Sequence, residues 1–226
     1  MRGMPSLRRD VPEECNRQTG IIPLAERTVI KMNINKINIL IVGVGGQGTL
    51  LASKFLGMAA GLAGKDVKVS EVHGMSQRGG SVVTCVKIGE NVASPVIDLG
   101  EADVMLSFEL SEAIRWLPYL KKGGTVITST QQIDPMTVVL GNAVYPENAL
   151  RALQGADAVV KAIDAPSVAE SCGSIKSVNI VLCGALAAMV DGIEETLWIE
   201  ALRAVVPARF YEMNEKAFHA GQCYTN

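Results

Sequence analysis

The feature that most constrains the fold is an apolar run that leads directly into a glycine-rich loop. Residues 37–42, INILIV, are almost wholly apolar, which is typical of a strand covered on both faces. The sequence GVGGQG follows at residues 43–48, and residues 47–64 are rich in Leu, Ala and Met, which predicts a helix. A strand, a glycine turn and a helix in this order are the opening unit of an α/β domain.

The rest of the chain alternates in the same way. Runs of β-branched residues predict strands, and apolar periodicity predicts helices, with Gly123 and Gly124 breaking one helix and Ser177 capping another. The predicted strands are residues 67–72, 81–88, 104–108, 125–129 and 158–163. The predicted helices are residues 109–120, 147–153, 178–190, 194–206 and 207–220. We therefore expect an α/β fold, a Rossmann-like, mostly parallel sheet flanked by helices, with a helical C-terminal third.

Composition agrees with one well-packed domain and argues against several classes of protein. Of the 226 residues, 48% are hydrophobic but only 4% are aromatic, a mixture that suits a parallel sheet packed by helices. The formal net charge of −2 lacks the basic excess of a nucleic-acid-binding protein. No apolar stretch reaches the roughly 18 residues needed to span a bilayer.

The cysteines indicate a reducing environment. There are five, an odd number, and no two form a C-x-x-C pair. Such a scattered set is typical of a cytoplasmic protein rather than of a disulfide-stabilised one. It also lacks the spacing with which a chain holds an iron–sulfur cluster by itself.

The first 33 residues differ from the remainder. They carry mixed charges without a sustained period, lack the apolar segment of a secretory signal, and contain acids that a mitochondrial transit peptide avoids. We predict that residues 1–33 are a disordered leader, left by cloning or by an upstream start codon. Residues 34–226 then form a single domain, and Met32 looks like its natural start.

The glycine loop has a known physical logic. Gly43, Gly45 and Gly48 match G-x-G-x-x-G, in which the first glycine makes the turn and the second admits a phosphate. The third allows close helix–strand packing, and the helix N-terminus favours an anion. Three readings stay open: phosphate or nucleotide contact, a pure turn requirement, and partner docking. The loop residues predicted to contact a cofactor are Gly43, Gly45, Gly46, Gln47, Gly48 and Thr49.

A second segment, EVHGMSQRGG at residues 71–80, carries many functional groups among glycines. Glu71 lies 23 residues beyond Gly48, where a dinucleotide enzyme places its ribose-binding acid. It is equally suited to act as a general base or to pair with Arg78. The Arg78 guanidinium suits a carboxylate or phosphate ligand, or a surface ion pair. We add His73 and Gln77 to the predicted cofactor-binding residues, and assign no catalytic residue and no metal ligand.

These segments resemble the gamma-type domain of the 2-oxoacid:ferredoxin oxidoreductases. The likeness is strongest to the beta subunits of the branch that acts on indolepyruvate. It extends from residue 37 to residue 221 and is specific in the second segment and in the ending MNEKAFHAG, whereas the glycine loop is generic. Other shared features are Tyr145-Pro146 and the stretch SVNIVLCGAL, which contains Asn179.

The resemblance implies a division of labour within a hetero-oligomer. The whole enzyme would decarboxylate an aryl 2-oxoacid, pass electrons to ferredoxin and transfer the acyl group to coenzyme A. Thiamine diphosphate, Mg and [4Fe-4S] clusters would belong to a larger alpha subunit, and this chain would hold none of them. It would complete the complex and contact coenzyme A through the glycine loop or Arg78.

Two other functions remain open from the residues alone. One is a stand-alone NAD- or flavin-dependent oxidoreductase, although no independent substrate domain is evident, and such enzymes need substrate residues beyond the cofactor fold. The other is a catalytically passive assembly module. Binding of NADH by the isolated chain would favour the first.

Overall fold

A computed structural model describes residues 31–73 and 79–224. The strands are β1 (Met32–Asn33), β2 (Lys36–Val44), β3 (Asp66–His73), β4 (Ser81–Gly89), β5 (Ala102–Ser107), β6 (Leu120–Ser129), β7 (Ala158–Ile163) and β8 (Val190–Asp191). The helices are α1 (Thr49–Leu62), α2 (Leu110–Trp116), α3 (Met136–Val139), α4 (Ala149–Gln154), α5 (Ala165–Ser171), α6 (Val178–Ala187), α7 (Glu195–Val205) and α8 (Tyr211–Gln222).

Six strands form the main sheet in the order β3-β4-β2-β5-β6-β7. The pairs β2–β5, β5–β6 and β6–β7 are parallel, whereas β4 is antiparallel to both β2 and β3. β3 therefore runs in the same direction as β2 but is separated from it by β4. The predicted α/β fold with a mostly parallel sheet is confirmed, and β4 is its one antiparallel member within the described residues.

Helices cover both faces of the sheet, because alternate residues of β2 point to opposite sides. Ile39 and Ile41 pack into the larger core with α1, α6, α7 and α8. Leu40 and Val42 pack into a smaller core with α2 and α4. The near-continuous apolar run that predicted β2 is thus explained by burial on two faces.

The region between β5 and β6 differs from its prediction. The helix predicted over residues 109–120 ends at Trp116, and a 3₁₀ turn over Leu117–Tyr119 follows. Gly123 and Gly124 were expected to break that helix, but they lie inside β6, which already begins at Leu120. The 3₁₀ turn has Pro118 in its first positions, and proline ends a helix because it cannot donate a backbone hydrogen bond.

The C-terminal third is helical, as predicted, with a different cap. Ser177 precedes α6, yet its side chain makes no capping hydrogen bond. Instead, the Ser174 hydroxyl accepts a hydrogen bond from the Lys176 amide and opens the 3₁₀ turn Ile175–Ser177. In the described part of the chain, no helix is long and apolar enough to cross a membrane.

The start of the fold lies slightly before the predicted boundary at residue 34. β1 pairs in parallel with β8, and the Met32 amide donates to the carbonyl oxygen of Met189 at 2.8 Å. Residues 1–30 lie outside the described residues, so the leader stays a prediction.

Candidate functional site

The glycine loop joins the end of β2 to the start of α1 at the carboxyl edge of the sheet. Gly46 and Gly48 have φ angles of 104° and 85°, a left-handed conformation that side chains disfavour. Gly48 is the N-cap of α1 and provides no side-chain cap, so the first amides of the helix have no side-chain partner from that residue. Both glycines are therefore favoured by backbone conformation.

Gln47 braces the loop from inside. Its carbonyl Oε1 accepts a hydrogen bond from the Val44 amide at 2.7 Å, and its Nε2 donates to the Phe108 carbonyl oxygen at 3.0 Å and to Gln131 Oε1 at 3.1 Å. A Cβ on Gly43 would lie 2.8 Å from Gln47 Oε1. Gly43 therefore makes room for the folded-back glutamine, and Gln47 joins the loop to two neighbouring segments.

Asn179 fixes the loop from the helical side. It is 3% exposed, and its Nδ2 donates to the Gly48 carbonyl oxygen at 3.3 Å. A Cβ on Gly48 would lie 2.6 Å from that nitrogen. Gly48 is thus constrained both by its φ angle and by Asn179, while Thr49 is buried beside it at the start of α1.

The second segment meets the glycine loop directly. The Gly45 amide donates to the Gly80 carbonyl oxygen at 2.8 Å, and the Gly79 amide donates to the Gly45 carbonyl oxygen at 3.4 Å. His73 is the last residue of β3 and pairs with Val82 of β4. Residues 74–78 lie outside the described residues, so the roles of Gln77 and Arg78 stay predictions, as does that of the His73 side chain.

Glu71 is half-buried on β3 and accepts a hydrogen bond from Thr84 Oγ1 at 3.3 Å. It pairs with Thr84 of β4, which in turn pairs with Ile41 of β2. Two strand spacings, about 10 Å, therefore separate Glu71 from the strand that carries the glycine loop. In a dinucleotide-binding sheet the acid lies on the strand next to that loop. Glu71 lies one strand farther from the loop than such an acid, so its placement does not support a ribose-binding role. A ligand role for Glu71 stays a prediction.

A cleft of about 370 Å³ opens beside the loop. It is lined by Gly46, Gln47, Gly48, Gln131, Ile175, Lys176 and Val178. The N-termini of α1 and α6 both border it, and Lys176 brings a positive charge to the same place. Helix N-termini and lysine favour anions, so the cleft suits a phosphate or a carboxylate. Sequence reasoning found the glycine side of this cleft but missed Gln131 and Lys176.

Two buried carboxylates lie behind the loop at the start of α2. Glu109 and Glu112 are 0% and 3% exposed, and neither was predicted as a site residue. Glu109 accepts a hydrogen bond from the Tyr145 hydroxyl, and Glu112 accepts one from the Ser81 hydroxyl. The pKa of Tyr145 is raised above its usual value, mainly because the hydroxyl is partly buried and also because it donates a hydrogen bond to Glu109.

The described residues contain no group of three or more His, Cys, Asp and Glu side chains placed to hold a metal ion. The site is therefore defined by a glycine loop, a second loop hydrogen-bonded to it, and an anion-favouring cleft. They lie at the carboxyl edge of the sheet, which is where open α/β sheets commonly bind their ligands.

Comparison with known sequences gives the family. Residues 38–224 match the pyruvate ferredoxin/flavodoxin oxidoreductase family, so the chain belongs to that family. It is 44% identical over 193 residues to the indolepyruvate oxidoreductase subunit IorB of Thermococcus kodakarensis, covering 83% of this chain and 95% of the relative. The corresponding subunit of Archaeoglobus fulgidus is 40% identical and is covered to 94%. The resemblance found in the sequence is confirmed.

Solved structures share the fold. The gamma subunit of a keto/oxoacid ferredoxin oxidoreductase from Geobacter sulfurreducens superposes with a TM-score of 0.64 at 24% identity, over 84% of this chain and 98% of that one. A 2-oxoglutarate:ferredoxin oxidoreductase from Magnetococcus marinus, with 2-oxoglutarate, coenzyme A and succinyl-CoA bound, gives a TM-score of 0.66 at 18% identity. The match covers 84% of this chain and 31% of that larger chain.

Proposed function

We propose that the chain is the small subunit of an indolepyruvate, or aryl 2-oxoacid, ferredoxin oxidoreductase. The enzyme oxidatively decarboxylates arylpyruvates to aryl-acyl-CoA and CO2 and passes the electrons to ferredoxin. The observation that carries this proposal is the 40–44% identity to indolepyruvate oxidoreductase subunits over 94–95% of their length. Relatives named for 2-oxoglutarate are less similar, at 28% and 30% identity.

In this proposal a larger subunit carries thiamine diphosphate, Mg and the [4Fe-4S] clusters, and the complex passes electrons to ferredoxin in the cytoplasm. An exposed apolar segment of the chain supports contact with a partner. Between β6 and α4, four large apolar side chains are 57% to 82% exposed, namely Met136, Val139, Leu140 and Val144. Exposed apolar clusters of this kind mark interaction sites.

The chain's own contribution is to hold the anionic part of coenzyme A in the cleft beside the glycine loop. Lys176 supplies the charge, and Gly46 and Gly48, just before the N-terminus of α1, line the same cleft. Coenzyme A offers both a diphosphate and a further phosphate, so a cleft bordered by two helix N-termini suits it. The predicted contacts of His73, Gln77 and Arg78 would lie on the adjoining loop.

Co-production with the larger subunit tests the function. We expect the purified complex to reduce ferredoxin with indolepyruvate only when coenzyme A is present, and the isolated chain to be inactive. Lys176→Ala should raise the KM for coenzyme A roughly tenfold, because a hydrogen bond to a charged group is lost. Lys122→Ala removes an exposed charge outside the cleft and serves as the control.

Two results would contradict the proposal. Turnover by the isolated chain with NADH would identify a stand-alone oxidoreductase built on the glycine loop. An active complex whose KM for coenzyme A is the same in the Lys176 and Lys122 variants would remove coenzyme A from this cleft and leave the chain as an assembly subunit.

A further inference from the structure

We propose that Glu109 and Glu112 are positioning residues, two buried carboxylates three residues apart at the start of α2 that fix the loops on either side of the glycine loop. Glu109 bonds Ile133 and Tyr145 in the stretch that follows β6, and Glu112 bonds Ser81, which directly follows the second segment. The geometry is independent of the enzyme's substrate, whereas its expected effect on coenzyme A rests on the proposed function.

Glu109 uses its two oxygens for different tasks. Oε2 accepts hydrogen bonds from the Glu112 amide at 2.9 Å and from Ser111 Oγ at 2.6 Å, which caps α2. Oε1 accepts from the Ile133 amide at 3.3 Å and from the Tyr145 hydroxyl. The carboxylate therefore has four donors, which fills the acceptor capacity of its two oxygens.

The choice of glutamate is informative. Helix caps are normally Asn, Asp, Ser or Thr, whose short side chains satisfy one or two amides of the same helix. A glutamate at the cap brings a longer side chain and a buried charge, which is costly unless every oxygen is satisfied. Here the additional oxygen bonds a segment that begins more than twenty residues later, so the residue does more than cap its helix.

Glu112 acts on the other side of the loop. One of its oxygens accepts a hydrogen bond from the hydroxyl of Ser81, the first residue of β4, and the other accepts from Arg115 Nε at 3.0 Å. The Trp116 indole also donates to Ser81 Oγ, at 3.4 Å. Ser81 directly follows Gly80, whose carbonyl oxygen accepts from the Gly45 amide. Glu112 thereby fixes the point at which the second segment leaves the glycine loop.

The two anchored loops meet the glycine loop from opposite sides. Gln131 is held by the hydrogen bond from the Leu110 amide to its carbonyl oxygen, at 3.2 Å, and its side chain bonds Gln47. Gln131 also lines the cleft, so the position of one cleft wall depends on the start of α2. The Phe108 amide bonds the Val42 carbonyl oxygen, which joins this start to β2 itself.

Two mild variants separate the anchors while keeping both carboxylates. Tyr145→Phe removes one donor to Glu109, and Ser81→Ala removes one donor to Glu112. Hydrogen exchange on the full isolated chain should show roughly fivefold faster amide exchange in residues 131–145 for the first variant and in residues 79–82 for the second. Exchange in α6 and α8 should be unchanged. Loop exchange at the parent rate, or equal acceleration throughout the chain, would overturn the proposal.

The complex with the larger subunit supplies the second measurement. We expect each variant to raise the KM for coenzyme A about threefold to tenfold, with kcat within about twofold of the parent value. Tyr211→Phe is the matched control, because Tyr211 also donates to a glutamate, Glu215, at 2.8 Å, but both residues belong to α8 and to neither of the anchored loops. It should leave the KM unchanged.

A merely structural role predicts a different pattern, in which the melting temperature and the active fraction fall while the KM stays constant. That pattern would contradict positioning. If instead the parent complex shows no turnover that depends on coenzyme A, the proposed function fails, and the exchange measurement still decides the role of the two glutamates.

Discussion

Two regions of the molecule depend on glycine for opposite reasons. In the loop after β2, Gly46 and Gly48 are needed for their backbone conformation, with φ angles of 104° and 85°. In the contact between α6 and α8, Gly184 and Gly221 are needed for space. A Cβ on Gly184 would overlap the Phe218 carbonyl oxygen, and one on Gly221 would overlap that of Val181.

The two glycine pairs lie in different surroundings, one in the buried core and the other at the candidate site. The helical contact brings two backbones together inside a fully buried part of the core, because every residue of α6 is buried. The loop is partly exposed and borders an open cleft. The ending MNEKAFHAG, which is specific in the sequence resemblance, and the shared stretch SVNIVLCGAL thus lie in helices that pack on each other. Specificity in a sequence segment reflects close packing here as much as ligand contact.

Asn179 joins the two regions. It belongs to α6, and its side chain bonds the Gly48 carbonyl oxygen. The following amide, of Ile180, donates to Asn179 Oδ1 at 2.9 Å. The helix that is most deeply packed therefore also determines where α1 begins, which is how a rigid core can present a glycine loop in one position.

The largest loss of stability is expected when a Cβ atom is added at the contact between α6 and α8. Gly184→Ala or Gly221→Ala forces two backbones apart, so we expect a loss of about 3 kcal/mol or more in the free energy of unfolding. Urea denaturation measures it. Gly57→Ala on α1 is the control, because its Cβ would meet only Val67 Cγ1 at 3.7 Å. That control should be neutral or stabilising by about 0.5–1 kcal/mol. Equal stability of the three variants would break the comparison.

A smaller effect is expected in the loop, and it differs between two glycines. Gly46→Ala meets no atom within 4 Å, so only the φ angle of 104° opposes it, at a cost of about 1 kcal/mol. Gly48→Ala meets Asn179 as well, so we expect about 2–3 kcal/mol. Thermal unfolding of the two variants, and of Gly48→Ala combined with Asn179→Ala, separates the two causes. If the double variant recovers nothing, Asn179 is not the obstacle.

The smallest effect is a pH dependence at the anchored loop. The pKa of Tyr145 is raised from 10.0 by burial and by Glu109, so above pH 10 the unfolded chain releases a proton that the folded chain retains. Stability from this group is present below pH 10 and is lost as the pH rises further. We expect the advantage of the parent over Tyr145→Phe to be constant up to about pH 9 and to shrink above pH 10. An advantage that grows with pH would contradict this assignment.

Most elements of the fold were predictable from local sequence patterns. The run 37–42, the glycines at 43–48 and the periodicity of the C-terminal third predicted β2, its turn and the helices, since each signal lies within one element. The position of β4 between β2 and β3 was not predictable in this way, because strand order is set by long-range pairing. That placement also separates Glu71 from the loop it was expected to serve.

The candidate site was predicted in part for the same reason. Gly48 and Gln47 belong to a recognisable motif, and the structure brings that motif to the cleft. Lys176, Glu109 and Glu112 are charged residues near helix starts, which is an ordinary solvated position in sequence. Only folding brings Lys176 to the cleft beside the glycine loop and buries the two glutamates behind it.

The order of the strands has a consequence for assembly. β3 and β7 are the edges of the six-stranded sheet, and each carries a lysine within the strand, Lys68 and Lys161. Lysine on an edge strand discourages sheets from pairing edge to edge, which is the usual route to aggregation. Both edges of the sheet are thereby made less favourable for pairing with further strands.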